Sequence, residues 1–132
     1  MIDFARCGNG HTINPERIER KLEHGMPFNI TCKGVTSYLD IEFRKGKSQN
    51  FVAELREDNN KNLECIVAKD TYKKACSIDE SSNRSMLTVQ MVALSDDFAG
   101  DFICKDNFSI VSIENVDIYG IIHLWLWENP IV

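Results

Sequence analysis

From Phe28 onward the chain is built of short runs in which apolar and polar residues alternate, and this period of two restricts its fold more than any other feature. Successive side chains of a strand point to opposite faces, so a strand with one face on a core shows this pattern and a helix does not. Phe28, Ile30 and Cys32 share a face opposite Asn29 and Thr31, and Leu39, Ile41 and Phe43 alternate with Asp40, Glu42 and Arg44. Leu87, Val89 and Met91 alternate with Thr88 and Gln90, and Gly100, Phe102 and Cys104 with Asp101, Ile103 and Lys105. Phe51–Leu55, Leu63–Ala68 and Phe108–Tyr119 read as further strands. Lys45-Gly46-Lys47, Arg56–Asn62, Ser77–Ser85 and Asp106-Asn107 read as the polar connections between runs. One helix candidate exists, Pro15–His24, with Ile18 and Leu22 four apart, but it reads equally as an extended entry segment. The expectation is an all-β sandwich. It comprises one domain over residues 18–119, an N-terminal segment 1–17 and an apolar tail 120–132.

Composition narrows the functional classes. A chain of 132 residues fits one domain, and a formal net charge of −5 argues against nucleic acid as a partner. No apolar window reaches the ~20 residues of a membrane-spanning helix. Met1–Arg6 lacks the basic start and apolar run of a leader, which leaves a removed leader, a fragment or a cytosolic protein open. Five cysteines and three N-glycosylation triplets, beginning at Asn29, Asn83 and Asn107, favour an oxidising, extracellular home. Cys65 and Cys76 flank a polar stretch and read either as a bridge or as two free thiols, with an oxidising home favouring the bridge. Such a bridge would contribute roughly 3 kcal/mol by loop closure. His11, His24 and His123 have no metal-ligand spacing, and Cys7-Gly8-Asn9-Gly10-His11 reads as a glycine-rich loop. Asp79-Glu80 and Asp96-Asp97 read as solvated turns, not calcium ligands. No nucleophile or phosphate-binding motif is present. The expectation is a protein that is not an enzyme and carries no cofactor or metal.

Residues Val89, Met91, Leu94, Phe98, Gly100, Phe102 and Cys104 fall into V-x-M-x-x-L-x-x-x-F-x-G-x-F-x-C, and Phe28-Asn29-Ile30-Thr31-Cys32 precedes them. The pair resembles the E-to-F and B strand signatures of the immunoglobulin superfamily, with a cysteine spacing of 72 that suits variable or long intermediate domains. The resemblance implies an immunoglobulin-like antiparallel β-sandwich with a Cys32–Cys104 bridge between sheets, which the loop-entropy estimate values at ~4 kcal/mol. Three positions depart from the pattern. Phe98 stands where the family has an Asp that makes a salt bridge at the base of the sandwich. Phe102 replaces the corner Tyr, and with no Trp on strand C the core position falls to Phe43 or Ile41. More narrowly, Ala93–Phe102 and the Trp-less, cysteine-rich pattern resemble immunoglobulin domains of secreted recognition proteins of invertebrates, molluscs among them.

The resemblance further implies a broad sheet face carrying Asp40, Glu42, Arg44, Asp101, Ile103 and Lys105, with a sugar on Asn29 pointing away from it and one on Asn107 at its end. The partner class is a protein or a glycan. Cys7 and the apolar tail are candidate routes to a homo-oligomer, and Cys7 pairing with a missing segment or staying free remains open. Two functional readings compete with this recognition module. One is a spacer domain without a ligand, and the other is a small intracellular β-protein whose cysteines are coincidental.

Overall fold

The computed structural model describes residues 15–35, 37–79, 81–93 and 98–120. Nine strands run through these residues: β1 (Glu16–Glu23), β2 (Pro27–Gly34), β3 (Leu39–Lys45), β4 (Ser48–Glu57), β5 (Leu63–Val67), β6 (Lys73–Asp79), β7 (Arg84–Val92), β8 (Gly100–Lys105) and β9 (Ile110–Tyr119). Cys7, His11, Glu80, Leu94, Asp96, Asp97, His123 and the tail beyond Gly120 lie outside the described residues. A six-stranded sheet, in the order β1-β9-β8-β3-β4-β5, faces a three-stranded sheet, β2-β7-β6. The fold is the immunoglobulin-like β-sandwich. All neighbours pair antiparallel except β1 and β9, the first and last strands, which run parallel over Glu16–Glu23 and Ser112–Tyr119.

The alternation seen in sequence is the alternation of burial. Phe28, Ile30, Cys32, Leu39, Ile41, Leu87, Val89, Met91, Phe102 and Cys104 all lie in one core cluster between the sheets. Within Pro15–His24, which reads equally as helix or extended segment, Glu16–Glu23 form strand β1. From β1 the chain turns at Gly25 (φ 89°) and crosses to the second sheet, held by Gly25 N–H donating to Ala93 O at 2.7 Å. Lys45 pairs with Ser48 across a two-residue hairpin in which Gly46 alone takes positive φ, the II′ pattern that matches strand twist.

Two expected boundaries move. Ser77–Ser85 does not form a single polar connection, because Ser77–Asp79 complete strand β6. That strand hides from pattern reading because it is an edge, with Lys73, Lys74, Ala75, Ser77 and Asp79 all exposed. Strand β4 is longer than Phe51–Leu55 and carries a bulge. Ile41 pairs with Ala53 but Glu42 with Phe51, so Val52 is the extra residue and Phe51 leaves the core face.

The three departures from the family pattern resolve into one aromatic chain. Phe43 lies 4.7 Å from Phe102, Phe102 meets Phe28 edge-on at 5.9 Å, and Phe28 meets Phe98 edge-on at 6.2 Å. Ring-on-ring contacts therefore stand where a corner hydroxyl and a basal carboxylate would be. Ile41, fully buried opposite Cys104, and Phe43 together fill the space that the family gives to Trp.

Gly100 admits β3 to this arrangement. A Cβ there would lie 2.7 Å from the Arg44 carbonyl oxygen and 2.8 Å from Phe43 Cζ. The first is backbone and cannot swing aside, so Gly100→Ala is expected to cost about 2 kcal/mol, in the range of overpacking. Urea unfolding measures it, and an unshifted midpoint would show that β3 and β8 yield freely.

Candidate interaction face

The outer face of the six-stranded sheet is organised in cross-strand rows. Asp101 and Arg44 stand in one row between Asn115 and Gln49, and Ile103 and Glu42 in the next between Ile113 and Phe51. Lys105 and Asp40 share a third row with Ile110 and Glu54. The structure thus brings together Asp40, Glu42, Arg44, Asp101, Ile103 and Lys105, all on one face.

Their exposure differs from the expectation. Glu42 is 5% and Ile103 3% exposed, so neither is a solvated outward residue. Both sit on central strands flanked by long side chains, and Glu42 is enclosed by its own partners. Lys105 Nζ approaches it at 2.5 Å, Arg44 Nη2 at 3.1 Å, and the Gln49 amide donates to its other oxygen. Phe51, 44% exposed beside Glu42, was not anticipated on this face, because strict alternation places it inward. Only the bulge at Val52 turns it out, and a bulge leaves no reliable mark in a single sequence.

The charges on this face feel different surroundings. Burial pushes the Glu42 carboxyl up, but hydrogen bonds from Lys105 and Gln49 and the nearby Lys105 and Arg44 charges outweigh it and hold it below its ordinary value. Asp40 is held above its ordinary value, first by burial and then by the negative Glu42 and Glu54, against the pull of Lys105. The Tyr38 hydroxyl, hydrogen-bonded to Asp40, is pushed to about 12 by burial and by these carboxylates. One Asp40 oxygen, Oδ1, is buried without a donor.

An acid with a raised folded-state pKa opposes folding once ionised, whereas one with a lowered value supports folding above its ordinary pKa. Asp40→Asn is therefore expected to raise the melting temperature at pH 7. The gain should shrink as pH falls through the raised folded value and vanish below the ordinary 3.8, where Asp40 is protonated in both states. Melting curves from pH 3 to 8 check this. A loss of stability at pH 7 would mean that the Lys105 attraction dominates.

The cysteines and glycosylation triplets take defined places. Cys32 and Cys104 are bridged between the sheets with Cα atoms 5.5 Å apart, and Cys65 and Cys76 with Cα atoms 6.1 Å apart. The second bridge ties the β5 edge of one sheet to the β6 edge of the other. Cys32, Leu87 and Cys76 form one row of the three-stranded sheet, so fully buried Leu87 stands between the two bridges. Asn29 is exposed on β2 of the three-stranded sheet, Asn83 occupies a turn at φ 54°, and Asn107 lies in the β8–β9 turn. Asp106 shapes that turn by accepting the Phe108 and Ser109 amides at 2.8 and 3.0 Å, leaving Phe108 80% exposed at the tip. Among the described residues no three His, Cys, Asp or Glu side chains are grouped to hold a metal ion.

No family model matches this chain, and no curated protein matches it in sequence. Solved structures do match in fold. One comes from work on the multimeric cell-adhesive interactions of voltage-gated sodium channel β subunits, with TM-score 0.63 and 8% identity, covering 83% of this chain and 97% of that one. Another is the extracellular domain of the voltage-gated sodium channel β4 subunit, a parallel homodimer tied to cell–cell adhesion, with TM-score 0.55 and 9% identity, covering 83% and 90%.

Proposed function

We propose that this chain is an extracellular immunoglobulin-like adhesion or recognition module, not an enzyme, that docks a protein through the outer face of its six-stranded sheet. The placement of the glycosylation triplets carries the reading. Asn29 lies on the opposite sheet. Gly34 lies against Asp106, and Val35, Leu63 and Asn83 line one pocket, so the Asn83 and Asn107 turns share one end of the sandwich. Sugars at all three would leave the six-stranded face bare. That face offers a partner an exposed aromatic, Phe51, with the partly exposed Asp40, Arg44, Asp101 and Lys105 around it, over a floor of buried Ile103 and Ile113. The adhesive roles of the structural neighbours and the two bridges support an extracellular, protein-binding reading, with a second copy of the chain among the candidate partners. The resemblance to invertebrate secreted recognition domains rests on Ala93–Phe102 and the Trp-less, cysteine-rich pattern of the sequence.

The test is an ectodomain array together with aggregation of beads coated with the glycosylated protein. Phe51→Asp and Arg44→Glu are expected to weaken capture or aggregation about tenfold, equivalent to ~1.4 kcal/mol, while Lys74→Glu on exposed β6 changes nothing. Dispersed beads with no partner on the array would favour the spacer reading.

A further inference from the structure

The base of the sandwich, at the end opposite the glycosylation turns, holds a cavity of about 870 Å³ between the sheets. Such a volume is in the range of small-molecule sites, which run roughly 300–1,000 Å³. Its walls are apolar and come from both sheets: Phe43 and Val52 from one, Met91 from the other, with Phe98 and Tyr72 from the connections. The cause is visible in sequence. Where the family pattern has a carboxylate that forms a salt bridge at this end, the chain has Phe98, whose ring turns onto Phe28 and presents carbon to the cavity.

Charge decides what could enter. The chain has 20 acidic and 15 basic residues, yet none of the described lining residues is acidic and Lys69 is the single charged one. Lys69 is exposed, in the β5–β6 connection, and its ammonium lies 6.0 Å from the Tyr72 ring at the rim. The connection is fixed there by Ala68 N–H donating to Val52 O at 2.9 Å and Tyr72 N–H to Lys69 O at 3.0 Å. Asn50 and Thr71 add neutral hydrogen-bonding groups. Among the described lining residues, an apolar interior with a single cation at its mouth matches a molecule with a long apolar body and an anionic head.

We propose that this basal cavity binds a free amphiphilic carboxylate of the fatty-acid class, its chain against Phe43, Phe98 and Met91 and its head at Lys69. The site shares Phe51 with the sheet face, but Lys69, Met91 and Phe98 lie outside that face, so different variants test the two proposals. The test is fluorescence titration of the whole chain with cis-parinaric acid below its micellar concentration. Saturable one-to-one binding is expected, displaced by oleate and, about tenfold less effectively, by oleyl alcohol. Lys69→Glu should weaken binding about tenfold and Phe98→Asp at least as much, while Lys33→Glu, exposed on β2 and outside the lining, leaves it unchanged. Lys69 is a surface residue, so its variant keeps the test decisive if Phe98→Asp fails to fold. Non-saturable binding, equal displacement by the alcohol, or unaltered binding to Lys69→Glu would overturn the proposal.

Discussion

Replacing Cys32 and Cys104 together by alanine is expected to remove about 4 kcal/mol of stability, from loop closure alone. The bridge spans 72 residues, and both half-cystines are buried in the middle of the core, so the space vacated by the two sulfurs adds to the loss. For a domain of this size that is a large part of a total of roughly 5–15 kcal/mol, and the melting temperature should fall by roughly 15 °C. The Cys65–Cys76 pair closes only 11 residues and is half-buried at the sandwich edge. Its removal is expected to cost roughly 3 kcal/mol or less. A mild reductant without denaturant should open Cys65–Cys76 first, because thiolate attack needs access. Timed alkylation with mass spectrometry reads the order. Labelling of Cys32 and Cys104 ahead of Cys65 and Cys76, or a double alanine variant melting within 3 °C or so of the wild type, would show that this core does not depend on its central bridge.

The second large effect is expected at Arg20, on the side of the sandwich away from the Cys65–Cys76 bridge. Arg20 stands opposite Val116, which is 2% exposed, so its side chain points between the sheets. Its guanidinium meets Glu114 Oε2 at 2.5 Å, donates to the Asn29 carbonyl oxygen of the other sheet at 2.7 Å, and lies 6.0 Å from the Phe28 ring centroid. One edge of the sandwich is thus closed covalently and the other by a cation. Glu114 is 8% exposed, and removing its partner leaves a carboxylate with little water around it. Full burial would put the loss at 3–5 kcal/mol, but Arg20 retains 32% side-chain exposure, so about 2 kcal/mol is expected for Arg20→Ala. Adding Glu114→Gln should recover part of it by removing the stranded charge. Urea unfolding of the four proteins of this cycle gives the coupling. A coupling near zero would mean that the pair is ornamental and that Arg20 acts through packing alone.

Legibility in the sequence followed burial. Strands β2, β3, β7 and β8 could be read residue by residue because each sets one face on the core and one toward water. Strand β6 could not, since both its faces are largely wet. Strand β1 was ambiguous because its inward positions are atypical: Ile18 remains 38% exposed and Arg20 is charged. The interaction face was half legible. Alternation placed its six residues on one side, but it assumed that opposite the core means exposed. Glu42 and Ile103 break that assumption because neighbouring side chains cover them.

The sequence alone therefore determined the sandwich and the side of each strand that faces inward, since period-two patterning and inward cysteines act locally along the chain. Three matters were decided only by the tertiary structure. The Val52 bulge turns Phe51 outward, because pairing with β3 is what registers the shift. The parallel closure of β1 on β9 depends on two segments almost a hundred residues apart. The basal cavity takes its lining from both sheets and from the β5–β6 and β7–β8 connections. Each depends on contacts between residues distant in sequence, and no local periodicity records such contacts.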